Sequence, residues 1–165
     1  MKQTVPIISF VGYHNSGKTT LLLNVIDELM AQGISVGVIK HDPKGKARID
    51  EGKHDSSLFY RQGAKEVALI SLNFSAIKIR GNQKLKKIVA FFDDVDIVLA
   101  EGFKSDSSVS KIWVESEEDH LNDLSEINPI IALVGNQDYG FGCPVFRANQ
   151  VEELAELIIS HAKLA

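Results

Sequence analysis

Nine residues constrain this chain more than any others. Gly12-Tyr13-His14-Asn15-Ser16-Gly17-Lys18-Thr19-Thr20 fits G-x-x-x-x-G-K-[ST] without a mismatch. The β-branched apolar run Val5–Val11 precedes it, and an amphipathic stretch, Lys18–Gln32, follows. A strand, a glycine-rich loop and a helix in that order make an anion site. Gly12 and Gly17 permit backbone angles that turn consecutive N–H groups inward. The helix that starts at Lys18 aims its positive end at the same anion. Lys18 adds a point charge for β- and γ-phosphates, the Thr19 hydroxyl is a Mg²⁺ ligand, and Thr20 reaches an α-phosphate oxygen. His14, Asn15 and Ser16 complete the loop around the nucleotide phosphates.

The rest of the chain alternates strand and helix. Leu21, Leu22, Val25, Ile26, Leu29 and Met30 lie on one helical stripe that Gly33 is placed to cap. Ile34–Lys40 reads as a second strand and His41–His54 as a polar loop. Ser56–Gln62 reads as a short helix stopped by Gly63, and Val67–Arg80 as a strand pair. Leu85, Ile88, Val89 and Phe92 form another helical stripe. Val95–Ala100 is nearly all apolar, as a strand covered on both faces should be. Lys111–Glu115, Pro129–Val134 and Val145–Arg147 are further strands, and a last helix opens with the capping pair Asn149 and Glu152. The pattern predicts one α/β domain over residues 1–165, a mostly parallel sheet with helices on both faces and a projecting hairpin.

Composition removes other classes. The 165 residues are 44% hydrophobic and 24% charged, which excludes a mostly disordered chain. No apolar run approaches the ~20 residues of a membrane helix, and no secretory leader is expected from the first residues. A single cysteine, Cys143, excludes an internal disulfide and fits a reducing cytoplasm. A net charge of −4 argues against nucleic acid as a bulk partner.

A triphosphate site needs a second acidic element. In parallel sheets ligands gather at the carboxyl ends of the strands. Glu101 follows Val95–Ala100 at that end, whereas Asp96 stands at the other, so Glu101 is the expected Mg²⁺-water ligand. Asp42, in the loop after the second strand, is a candidate metal ligand with Thr19 and Glu101, and Asp55, just after that loop, is a candidate catalytic residue with Lys18 and Glu101 beside the γ-phosphate. The base pocket is weakly written: Gly135-Asn136-Gln137-Asp138 carries only the aspartate of an Asn-Lys-x-Asp guanine loop, and it also reads as a plain turn.

Several segments together resemble the molybdopterin-guanine dinucleotide biosynthesis protein B (MobB) family of P-loop GTPases. They are Gly12–Thr20, Val38-Ile39-Lys40-His41, His54-Asp55-Ser56 before Gly63-Ala64, Asp96 through Lys104 with its Glu-Gly-Phe-Lys, and Ser110-Lys111-Ile112. The chain departs from the family pattern at Ser56, where Thr is common, at Ser110, where Pro is usual, and at Glu115 and Ser116, near which the family has Arg. The resemblance implies a homodimeric GTP- and Mg²⁺-binding protein. It would act beside the guanylyltransferase that attaches GMP to molybdopterin, and could contact bound molybdopterin itself.

Two other readings compete. A P-loop small-molecule kinase brings lid arginines to the transferred phosphoryl group; of Arg48, Arg61, Arg80 and Arg147 only the first two fall in lid-like segments. A nucleotide-dependent metallochaperone is prompted by His14, His41 and His54, but there is no cysteine pair. The scarcity of arginines predicts slow GTP hydrolysis and a protein that acts mainly as an adaptor.

Overall fold

The computed structural model describes residues 5–46, 55–116, 124 and 127–164, with the backbone alone at Asp55 and Ser56. The chain forms two compact units, Met1–His41 with Phe92–Ala165, and Asp42–Phe91.

The first unit is a sheet of six parallel strands: β1 Ile7–Val11, β2 Val36–Lys40, β5 Ile97–Glu101, β6 Ser110–Val114, β7 Ile130–Val134 and β8 Val145–Phe146. Their order is β2-β5-β1-β6-β7-β8. Alternation sorts the side chains onto two faces. Ile8 and Phe10 of β1, Ile97 and Leu99 of β5, Ile112 and Val114 of β6, and Ala132 and Val134 of β7 share one core. Helix α1, Lys18–Ala31, closes that core with Leu21, Leu22, Val25 and Leu29. Helix α4, Val151–Ala162, closes it with Leu154, Ala155 and Ile158. The opposite face carries Val11, Trp113 and Leu133 under Leu124 and Ile127. Among the described residues no helix is long and apolar enough to cross a membrane.

Local departures from the sequence pattern have physical causes. Gly33, at φ 81°, ends α1 as expected; its N–H reaches Met30 O, and Ile34 N–H reaches Leu29 O. Residue 150, not Asn149, is the N-cap of α4, and no side chain caps it. Gln150 instead accepts Arg147 N–H at 2.8 Å, so its side chain secures the preceding turn. The stripe Leu85–Phe92 is helical only over α3, Leu85–Val89. Phe92 belongs to the first unit, where a Cβ on Gly37 of β2 would lie 2.4 Å from its ring. Gly37 makes room for that phenylalanine.

The second unit holds α2, Asp55–Arg61, α3, and an antiparallel hairpin of β3, Glu66–Ile70, and β4, Ser75–Ile79. Ser71 N–H closes its turn on Phe74 O at 2.9 Å. The Tyr60 ring carries Lys78 Nζ at 4.6 Å and Arg80 Cζ at 4.1 Å. The hairpin leaves Ile70, Leu72, Phe74 and Ile77 exposed, Leu72 at 96%.

Candidate functional site

The loop between β1 and α1 crowns the carboxyl end of the sheet. Gly12 is required by close approach: a Cβ there would stand 2.3 Å from Val114 O. Asn15 and Gly17 adopt left-handed angles, φ 61° and 81°, and asparagine tolerates that region better than most residues. Lys18 Nζ folds back over the loop, donating to Tyr13 O and to Ser16 Oγ, the latter at 3.1 Å. The lysine is thus tied to the backbone and a side chain of its own loop.

Glu101 ends β5 beside this loop. Thr19 Oγ1 donates to Glu101 Oε2 at 2.9 Å, so the structure brings together the hydroxyl and carboxylate that the sequence assigned to a metal. These are hard oxygen donors of the kind magnesium takes. Lys40, in register with Glu101 on the neighbouring strand, pairs with its Oε1 at 3.0 Å and with Oε2 at 3.2 Å. The pair lies at the surface, with the lysine side chain 63% exposed, so it adds little stability. Its interest is positional, because it places a positive charge at the carboxylate that Thr19 also reaches. In the sequence Lys40 is only the end of a strand segment; its signal is that β2 ends level with β5. His41 stacks on Phe103 at 4.5 Å, and Gly102, at φ 104°, comes within 3.0 Å of His41 Cβ when given a Cβ. Ser9 Oγ donates to Gly102 O from beneath. The Glu-Gly-Phe turn is thus fixed from both sides.

Asp96 stands at the far end of β5. It accepts Ser35 N–H at 2.8 Å and Ser35 Oγ–H at 2.6 Å. The serine hydroxyl first, then its N–H, hold the carboxyl below its ordinary 3.8. This aspartate ties β2 to β5 and is remote from the loop.

Next to the phosphate loop lies a cavity of about 1580 Å³. Its walls are the loop residues His14 to Gly17 with Thr20, the ends of β6 and β7, and the turn after β8. Asp138 lines it, as does Arg147. Arg147 lies in a turn and not in the strand Val145–Arg147 expected from the sequence, because β8 ends at Phe146 and the arginine enters the turn at the carboxyl end of the sheet. Its guanidinium donates to Gly135 O at 3.2 Å and to Asn136 Oδ1. Asp138 Oδ1 accepts Gly140 N–H at 2.8 Å. Asp42, which accepts Lys44 N–H at 3.0 Å, and Asp55 both belong to the second unit. The Asp55 side chain and His54 lie outside the described residues. Among the described residues no group of three or more His, Cys, Asp or Glu could hold a metal ion.

A family model described as molybdopterin guanine dinucleotide synthesis protein B matches residues 7–136. The chain belongs to this family. Its relatives include the molybdopterin-guanine dinucleotide biosynthesis adapter protein of Haemophilus influenzae, 32% identical over 163 residues that cover 96% of this chain and 90% of that protein. A solved structure of molybdopterin-guanine biosynthesis protein B superposes with a TM-score of 0.71 at 29% identity, covering 95% of this chain and 99% of the other. The Bacillus subtilis MobB structure gives 0.74 at 24% identity, over 94% and 96%, and bears on the fold. The matched span, residues 7–136, contains the phosphate loop, Lys40, Glu101 and the cavity-lining residues as far as Asn136; Asp138 and Arg147 lie beyond it.

Proposed function

We propose that the chain is a GTP- and Mg²⁺-binding adapter in molybdenum-cofactor biosynthesis, with weak GTPase activity. Family membership and the adapter relatives support the pathway. The observation that carries the nucleotide reading is the Thr19–Glu101 contact at the foot of a phosphate loop that opens into the cavity. In this reading Lys18 and the loop from Gly12 to Thr20 hold the phosphates, and Thr19 and Glu101 hold the metal. Asp138, with its second carboxylate oxygen, accepts from the guanine edge.

The exposed hairpin is the proposed homodimer surface, because a two-stranded hairpin is marginal in water by itself. A cytoplasmic setting fits the lone Cys143, whose thiol burial pushes its pKa up. The kinase reading loses ground at Arg147, whose guanidinium is turned to the 135–136 backbone and amide.

A titration of GTP, ATP and GMP with and without magnesium tests the proposal. GTP is expected to bind at least about tenfold more tightly than ATP, a preference worth about 1.4 kcal/mol. Hydrolysis is expected well below the ~1–100 s⁻¹ of kinases, rising when the guanylyltransferase is added. Transfer of phosphate to a small alcohol or acid would replace this reading with the kinase one.

Glu101→Gln is expected to weaken magnesium-dependent triphosphate binding about tenfold and to leave the metal-free component unchanged. Asp96→Asn is expected to leave nucleotide binding alone and to lower thermal stability. Because the native carboxyl titrates below 3.8, its contribution is present above that value and is lost as pH falls through the native one. The melting-temperature gap between wild type and Asp96→Asn should therefore narrow on acidification. Equal nucleotide effects of the two substitutions would remove Glu101 from the metal site.

A further inference from the structure

The turn that bounds the base end of the cavity is held from two sides. Glu115 follows β6 directly, and its own N–H reaches Val134 O at 2.8 Å. Its Oε2 accepts the Asn136 N–H and its Oε1 accepts the Tyr139 hydroxyl at 2.6 Å. From the other side Arg147 donates to Gly135 O and Asn136 Oδ1. Gly135 N–H is itself bound to Phe146 O at 2.8 Å. A Cβ on Gly135 would lie 2.3 Å from Glu115 Oε2 and 2.5 Å from Glu115 Cβ. The glycine is there so that the carboxylate can lie against the turn.

Two carboxylates therefore face the same cavity in different states. Both oxygens of Glu115 are engaged by the turn. Asp138 has one oxygen on Gly140 N–H, and the other is available to a ligand. Resting on the reading of this cavity as a nucleotide site, we infer that Glu115 is a positioning residue that sets base selectivity. It clamps residues 135–139, and Asp138 then meets the base in one geometry without having to be ordered first. A hydrogen bond to a charged acceptor is stronger than a neutral one, and a recognition loop fixed before binding loses less entropy on binding.

The test compares Glu115→Gln, Glu115→Ala and Tyr139→Phe in the full chain, with tripolyphosphate, GTP and ATP as the three probes. Tripolyphosphate reports the phosphate loop alone and should bind every variant as it binds the wild type. Glu115→Ala should weaken the preferred nucleotide about tenfold and compress the GTP-to-ATP ratio toward one, because both clamp bonds go. Glu115→Gln keeps the shape but turns an amide N–H₂ toward one of the two donors, and should fall between. Tyr139→Phe, which removes one bond, should cost about threefold. A ratio that stays at its wild-type value in Glu115→Ala overturns the inference. So does an equal loss for tripolyphosphate, which would mark a purely structural residue. If the wild type prefers ATP and Glu115→Ala loses that preference, the clamp stands and the guanine reading fails; if the wild type shows no preference, the clamp has nothing to set and is overturned.

Discussion

Lys18→Ala is expected to weaken triphosphate binding by at least about a hundredfold, roughly 2.7 kcal/mol, with the fold intact. The magnitude follows from what the ammonium meets. In the structure it is shared between Tyr13 O and Ser16 Oγ, two neutral acceptors that an anion would replace with charged oxygens. Charge-assisted bonds are roughly twice as strong as neutral ones, and they act here at a helix N-terminus that already favours negative charge. The loop-internal bonds give Lys18 a part in holding the loop that the sequence did not suggest. Their loss lies at the surface end of the sheet, away from the core of Phe10, Val25 and Leu99, so the melting temperature should move by only a few degrees. Trp113, edge-on to Tyr13 of the loop at 6.0 Å, is the single tryptophan. Its fluorescence gives the titration a signal inside the protein. A well-folded variant that binds GTP as the wild type does would take the phosphate loop out of the functional account.

The parts of the molecule written in local pattern were legible in the sequence. The phosphate loop is one contiguous motif, and the strand periods of β1, β5 and β7 follow directly from which faces are covered. The position of Glu101 at the ligand end and of Asp96 at the other needs only the direction of one strand. The Glu115 clamp was not legible, because it joins β6, β7 and β8 through contacts 21 and 24 residues apart. The Lys40 contact joins residues 61 apart and exists only because β2 lies next to β5 in the sheet order. Lys111 was hidden for a different reason. In Ser-Lys-Ile-Trp-Val a lysine among alternating apolar residues reads as the solvent face of a strand, and the burial of its ammonium depends on three carbonyls brought from two loops.

Removing that ammonium is the second large effect. Lys111 is fully buried on β6, on the sheet face that carries Trp113. Its Nζ donates to Asp106 O at 2.6 Å, Val109 O at 2.9 Å and Asn128 O at 2.7 Å. Two of these carbonyls lie in the eight residues, 102–109, that carry the chain from the end of β5 back to the start of β6. Parallel strands are usually joined by a dozen residues or more with a helix. Here the return is short and has no helix, and a charged donor inside the turn satisfies backbone acceptors that a helix would have satisfied. Burial pushes the Lys111 pKa down from 10.5, partly offset by the Asp106 carboxylate. The charged form is therefore held at some cost, and the carbonyls compensate it. Lys111→Met keeps much of the stem's volume and leaves three acceptors without their donor, each worth about 1 kcal/mol or more. The expected loss is about 3 kcal/mol in urea unfolding, a large fraction of the stability of a domain. The pH dependence has a definite sign. A lysine whose native pKa is lowered binds fewer protons in the native state, so wild-type stability rises between the native value and 10.5, and the deficit of Lys111→Met should widen on alkalinisation. Because the same loop begins at the Glu-Gly-Phe turn beside Thr19, magnesium-dependent nucleotide binding should weaken in parallel. A loss below about 1 kcal/mol, with nucleotide binding unchanged, would mean that the three carbonyls find other donors and that the short return holds its shape without the lysine.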